Sequence, residues 1–177
     1  MYGIIATWRM ALEGISKADS MLKNNESAAD SIEEAIKAVE DFEYYKSVGY
    51  GGLPNEEMEV ELDAAFMDGD TLEFGCVGGV KDFANPVSIA RSLMHYDANN
   101  FLVGQGAEKY ASRHGFERKT MLTDRAKIHY HNRTKEITNT ELKPYSGHDT
   151  VGMVCLDTAG HMTCATSTSG LFMKHPG

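Results

Sequence analysis

The chain has 177 residues, 42% hydrophobic and 24% charged, a composition that gives one globular domain a core of its own. With 26 acidic residues against 17 basic ones the formal net charge is -9, which disfavours nucleic acid as a partner because phosphates need a basic face. No apolar run approaches membrane-spanning length, and Met1-Tyr2-Gly3-Ile4-Ile5 has neither the basic nor the apolar region of a signal peptide. A cytoplasmic or signal-stripped mature protein with no membrane partner and a small soluble substrate is expected.

Taken in chain order, Gly3 to Thr7 is short and β-branched and reads as a strand that delivers Trp8 to its end. A first helix is expected from about Met10 to Leu22, with Leu12, Ile15 and Leu22 near one face. A second opens at the capping pattern Ser27-x-x-Asp30, carries Ile32, Ala35, Ile36 and Val39 at helical spacing, and stops near Tyr44 and Tyr45. The glycines of Ser47-Val48-Gly49-Tyr50-Gly51-Gly52 permit positive φ, which suits either a tight turn before a hairpin or a loop that lines a site. Val60 to Met67 and Thr71 to Val77 flank Asp68-Gly69-Asp70 and predict an antiparallel hairpin. Asn85-Pro86 then reads as an N-cap with proline at the first helical position, opening a helix to about Tyr96. Phe101 to Val103 is a brief strand, and Gln105 to His114 a helix closed by Gly115. From about Glu117 to Ser146 the chain is polar without apolar periodicity and reads as a long surface connection.

The last thirty residues hold a second hairpin. Val151 to Leu156 and His161 to Thr168 are strand-like, and Asp157-Thr158-Ala159-Gly160 fits a type I turn followed by a left-handed glycine. Pairing Asp157 with His161 sets Cys155 opposite Thr163, Met153 opposite Ala165 and Thr150 opposite Thr168; a two-residue loop would instead oppose Thr150 to Ser167. Directly opposed residues have Cβ atoms about 4.5 to 5.5 Å apart, so two threonine hydroxyls could touch. The order of elements fits helices packed on an antiparallel sheet, an α+β class. Cys76, Cys155 and Cys164 have no metal-ligand or disulfide spacing and read as small hydrophobes, while His129 and His131, lacking nearby carboxylates, read as surface residues; no metal and no cofactor are expected.

A mid-chain threonine is a weak nucleophile, but at a chain N-terminus its own α-amine, of pKa about 7.7 to 8.0, can take the hydroxyl proton. His148-Asp149-Thr150-Val151-Gly152-Met153 has the parts for creating that terminus by attack of the Thr150 hydroxyl on the preceding carbonyl. Asp-Thr is also an ordinary cap or turn, and the residues alone leave both readings open.

Gly147 to Met153 resembles the processing site of the glycosylasparaginase family, and Thr163-Cys164-Ala165-Thr166-Ser167-Thr168-Ser169-Gly170 resembles the segment that follows it there. Thr7-Trp8, the glycine-rich loop from Ser47, Leu62-Asp63-Ala64-Ala65-Phe66-Met67-Asp68-Gly69, Asn85 to Arg91 and Leu102-Val103-Gly104 extend the match over essentially the whole chain. The resemblance implies an N-terminal-nucleophile (Ntn) hydrolase with the four-layer αββα sandwich, of which residues 1–177 cover roughly the first half as one domain, incomplete at its C-terminus. It further implies that residues 1–149 form an α-subunit part and residues 150–177 the start of a β-subunit. Thr150 would be the nucleophile with Thr168 supporting it, His148 and Asp149 would serve self-cleavage, and Trp8 and Ser47 would line the pocket. The implied reaction cleaves the amide between N-acetylglucosamine and asparagine, releasing aspartate and the amino sugar. Isoaspartyl peptidases and plant-type asparaginases share these features; Gly49-Tyr50-Gly51-Gly52 and His148-Asp149 favour the glycosylasparaginase branch. In that family the sequence continues into an arginine, an aspartate and oxyanion donors that would lie beyond Gly177. The implied partners are therefore a downstream β-subunit remainder and further copies of the same chain, and these residues alone are expected to be inactive, or an inactive remnant.

Overall fold

The computed structural model describes residues 1–139 and 150–177, with side chains as far as Glu136 on the last helix. Six strands form one sheet in the order β1-β5-β6-β2-β3-β4, where β1 is Gly3–Ala6, β2 Leu62–Asp68, β3 Phe74–Val80, β4 Phe101–Val103, β5 Val151–Leu156 and β6 Met162–Thr168. All pairings are antiparallel except that of β3 with β4, which is parallel. The sheet is therefore mixed where pure antiparallel pairing was expected, because β3 and β4 are joined by a helical crossover instead of a tight hairpin.

The helices α1 (Leu12–Lys23), α2 (Ala28–Glu40), α3 (Pro86–Leu93) and α4 (Gly104–Arg113) pack on one face of this sheet around a common apolar core. Period-2 alternation decides which side chains they cover. Ala64 and Phe66 of β2, Val151, Met153 and Cys155 of β5, and Ala165 of β6 are buried beneath them, while Leu62, beyond a bulge in β2, is buried against Val60 and Met121 instead. The intervening residues point to the other face, which these four helices leave uncovered: Ile5, Phe74 and Val154 line a shallow apolar trough of about 540 Å³, and Phe101, Val103 and Met162 are exposed as well. The architecture is α+β, one helical layer on one sheet, and these are two adjacent layers of the αββα sandwich.

Several local expectations are corrected. After a 3-10 turn at Arg9–Ala11, α1 buries Gly14, Ala18 and Leu22, while Leu12 is 59% exposed. Small residues win the inner face because α2 comes so close: a Cβ on Gly14 would sit 2.3 Å from the Ala35 carbonyl oxygen. Ser27 caps α2, its Oγ accepting from the Asp30 N–H at 3.0 Å as the sequence predicts. That helix ends at Glu40, short of Tyr44, since the Glu40 carbonyl accepts from Tyr50 N–H at 2.7 Å and is lost to the helical ladder.

The stretch from Glu117 to Ser146 is not structureless as far as it is described. Asp124–Asn139 forms a fifth helix, α5, while residues 140–146 lie outside the described part. Thr123 Oγ1 accepts from the Ala126 N–H at 3.2 Å at its start, and the pairs Lys127–Asp124 (2.9 Å) and Arg133–Glu136 (2.8 Å) run along it. Helix α5 escapes an apolar-period reading because few of its side chains are buried: Ala126 is, the rings of His129 and Tyr130 meet Phe172, and polar bonds from Arg125 to the Glu43 carbonyl and from Tyr130 to the Glu56 carbonyl make further attachments.

Candidate active site

Asp157 N–H donates to His161 O at 3.0 Å, Gly160 has φ +95°, and β5 pairs with β6 from Leu156↔Met162 to Val151↔Ser167. The turn chemistry thus gives the three-residue loop, and the same register continued by one residue sets Thr150 opposite Thr168. Alternation also fixes the face. Val151 and Ser167 are buried beneath the helices, so Thr150 and Thr168 both belong to the open side of the sheet, with Thr150 exposed.

Each threonine is held by its neighbours. Thr7 Oγ1 donates to the Thr150 carbonyl oxygen at 3.0 Å and accepts from Gly152 N–H at 2.9 Å, bracketing the start of β5. Thr168 Oγ1 donates to the Ser47 carbonyl at 3.2 Å and accepts from Gly170 N–H at 3.1 Å, which leaves one lone pair for a further donor. Ser169 N–H donates to the same Ser47 carbonyl at 2.7 Å, tying the glycine-rich loop to the end of β6. The glycines make this approach possible. Gly49, at φ +63°, would place a Cβ 2.2 Å from the Glu40 carbonyl oxygen, and a Cβ on Gly52 would lie 2.6 Å from Ser169 Oγ. The loop is a run of tight turns, and through the Ser47 carbonyl those turns are fastened to the end of β6 beside Thr168.

Trp8 follows β1 with φ +63° and ψ 150°, a conformation that costs a non-glycine residue roughly 1 to 3 kcal/mol and is kept where surrounding structure demands it. Its side chain, 55% exposed, borders a recess of about 280 Å³ with Met10, Tyr44, Tyr45, Lys46 and Ser47. The structure thus brings Thr150, Thr168, Ser47 and Trp8 into one neighbourhood linked by Thr7 and the glycine-rich loop. His148 and Asp149 lie outside the described residues.

Two contributors were not singled out in the sequence. One is Thr7, whose hydroxyl acts on both sides of Val151. The other is Glu40, fully buried, whose carboxylate accepts from Val87 N–H at 3.1 Å and from Asn85 Nδ2 at 3.2 Å. Asn85 was expected to cap α3, yet it sits in the left-handed region at φ +49° without a side-chain cap bond, and Glu40 takes that role from across the core. Burial pushes the Glu40 carboxyl up to about 8, against the opposing influence of Ser167, Val87 N–H and Asn85. A signal was available: Glu40 lies four residues after Ile36 on the apolar face of α2, where a charge has no place unless it serves one. Of the cysteines, Cys155 is buried as read, whereas Cys76 and Cys164 are half-buried and face the open side.

The family model described as asparaginase matches residues 6–177. An N(4)-(beta-N-acetylglucosaminyl)-L-asparaginase of Elizabethkingia miricola is 33% identical over 174 residues, covering 98% of this chain and 51% of that protein. An isoaspartyl peptidase/L-asparaginase of Mus musculus is 37% identical over 174 residues, 93% of this chain and 52% of that protein. The isoaspartyl peptidase of Escherichia coli (strain K12) is 32% identical over 172 residues, 92% of this chain and 53% of that protein. The chain spans about half the length of these curated relatives.

Proposed function

The chain belongs to the asparaginase family, whose members named above are amidohydrolases, and on that premise we propose that it carries the nucleophile of an amidohydrolase acting on a substituted asparagine side chain. The observation that carries the reading is the β5–β6 register, which opposes Thr150 to Thr168 on the open face of the sheet. The Thr150 hydroxyl first attacks the Asp149 carbonyl, and water opens the resulting ester, leaving Thr150 with a free α-amine. With a pKa of about 7.7 to 8.0 that amine is partly unprotonated near neutrality and takes the hydroxyl proton as Oγ1 attacks the substrate amide carbon. The C–N bond breaks, the amine leaves with a proton, and water then hydrolyses the β-aspartyl ester to release aspartate. Thr168, fixed by Ser47 and Gly170, offers its remaining lone pair to the Thr150 hydroxyl or amine. No step calls for a cofactor.

The leaving group we propose is the amino sugar N-acetylglucosaminylamine, matching the N-acetylglucosaminyl substituent in the bacterial relative's name. The recess beside Ser47 supports this reading, because the flat apolar faces of Trp8, Tyr44 and Tyr45 suit a pyranose ring. The relatives named for isoaspartyl peptides at 32% and 37% identity keep a peptide leaving group as the second reading. Intact mass of the protein should show a chain beginning at Thr150, and Thr150→Ala should stay whole. Side-by-side assay of the glycosylated and isoaspartyl substrates then separates the two. Cleavage of the alanine variant at the same bond, without protease, would refute the mechanism.

A further inference from the structure

Past β6 the chain turns back on the start of β2, and one buried ion pair fastens that turn. Glu61, the residue before β2, is buried at 3% exposure, and its carboxylate pairs with the ammonium of the half-buried Lys174. Gly177 N–H donates to the same carboxylate at 3.1 Å, and Lys174 Nζ donates further to the His175 carbonyl at 3.3 Å. Although burial works against it, Lys174 and the Gly177 N–H hold the Glu61 carboxyl below its ordinary value, so the pair is ionic. The backbone on both sides of the lysine is held as well. Met173 N–H donates to the Pro54 carbonyl at 3.0 Å, and the Lys174 carbonyl accepts from Glu56 N–H at 3.0 Å.

The stem of that lysine reaches the neighbourhood of Thr168. Gly170 has φ +73°, and a Cβ there would lie 2.8 Å from Lys174 Cε and 3.0 Å from its Cδ, so the side chain runs directly over the Gly170 backbone. Gly170 N–H in turn donates to Thr168 Oγ1 at 3.1 Å, one of the two bonds that decide where the remaining lone pair of that hydroxyl points. Asp63, two residues after Glu61, is paired with Thr168 across β2 and β6, so the anchor and the hydroxyl sit at the same end of the sheet. A buried ion pair adds little stability over apolar side chains of the same shape. What it adds here is position, since the carboxylate fixes the lysine and the lysine closes over Gly170. We propose that Lys174, anchored by Glu61, is a positioning residue for Thr168, holding the Gly170 N–H on its hydroxyl. Its bearing on the reaction rests on the function proposed above.

In isotope-labelled protein the magnetic resonance of the Gly170 amide proton reads the bond to Thr168 Oγ1 without any turnover. Glu61→Gln/Lys174→Met removes both charges together, so no lone ion is left buried, and the methionine keeps most of the apolar stem. In that variant the Gly170 amide proton should move upfield while the amides of Ala165 and Thr166, within β6, stay in place. With the substrate that the protein turns over, kcat should fall on the order of tenfold to a hundredfold, the scale of a misplaced group beside a nucleophile, with KM changed by less than about twofold. Glu61→Gln alone keeps the shape and one acceptor oxygen, and where the double variant unfolds it should shift both readings in the same direction. An unmoved Gly170 signal in a folded variant, a moved signal with kcat at the wild-type level, or a loss carried by KM alone would overturn the proposal. A wild-type protein without turnover and without a chain beginning at Thr150 would remove the function, and the Gly170 signal would still decide whether Lys174 holds that bond.

Discussion

Replacing Glu40 by glutamine should change how stability depends on pH. In the folded protein the carboxyl titrates at about 8, against 4.5 for the ordinary group, a difference of 3.5 units. At 1.36 kcal/mol per unit this sets a ceiling of about 5 kcal/mol on the stability it makes pH-dependent. Below pH 4.5 both folded and unfolded chains hold the proton and nothing is lost. Between 4.5 and 8 the unfolded chain releases it while the folded one retains it, so stability falls as pH rises, and above 8 the loss is complete with a charge buried in the core. Glutamine keeps the shape and an acceptor for Val87 N–H but does not titrate. Glu40→Gln should therefore match or trail the wild type near pH 4.5 and gain on it steadily up to pH 8, by a substantial fraction of the ceiling. Urea midpoints measured at intervals from pH 4.5 to 9 provide the test. A stability difference between the two proteins that stays constant over that range would refute the argument that burial keeps this group protonated.

Gly75→Ala should cost about 3 kcal/mol or more, because its Cβ would lie 1.9 Å from the Ala90 carbonyl oxygen and α3 cannot retreat without opening the core; the urea midpoint reads it. Thr7→Val keeps the side-chain shape but loses both bonds that bracket the start of β5, costing about 1 kcal/mol and slowing release of the Thr150 chain in an intact-mass time course. Asp157, buried in the β5–β6 turn, accepts from Ala28, Ala159 and His161 N–H groups. Although burial works against it, these bonds hold its carboxyl below the ordinary 3.8, so the stability it contributes is present above that pH and lost as pH falls through its folded value. Asp157→Asn should lose roughly 1 to 3 kcal/mol at pH 7, with the gap to wild type closing below pH 3.8; a gap independent of pH would count against the carboxylate's role.

What the sequence determined by itself was whatever depends on neighbours along the chain. The Ser27 cap, the left-handed Gly115, and the Asp157 to Gly160 turn are local devices, and the turn pointed to the register that opposes Thr150 to Thr168, which the β5–β6 pairing then selected over the two-residue alternative. The family resemblance, carried by ordered motifs, assigned Trp8, Ser47, Thr150 and Thr168 to one site, and it was the tertiary structure that showed the glycine-rich loop fastened to the end of β6. Only the tertiary structure decided that Glu40 caps a helix through the Val87 N–H 47 residues away, and that Thr7 grips a strand that begins more than 140 residues later. It also decided that α5 turns Arg133 and His129 toward the same loop as Lys46. Periodicity senses one buried face of one element, and α5 has almost none to show. A buried carboxylate or a cluster of cations exists only once distant segments pack, and its energy depends on desolvation and on partners that no local spacing records.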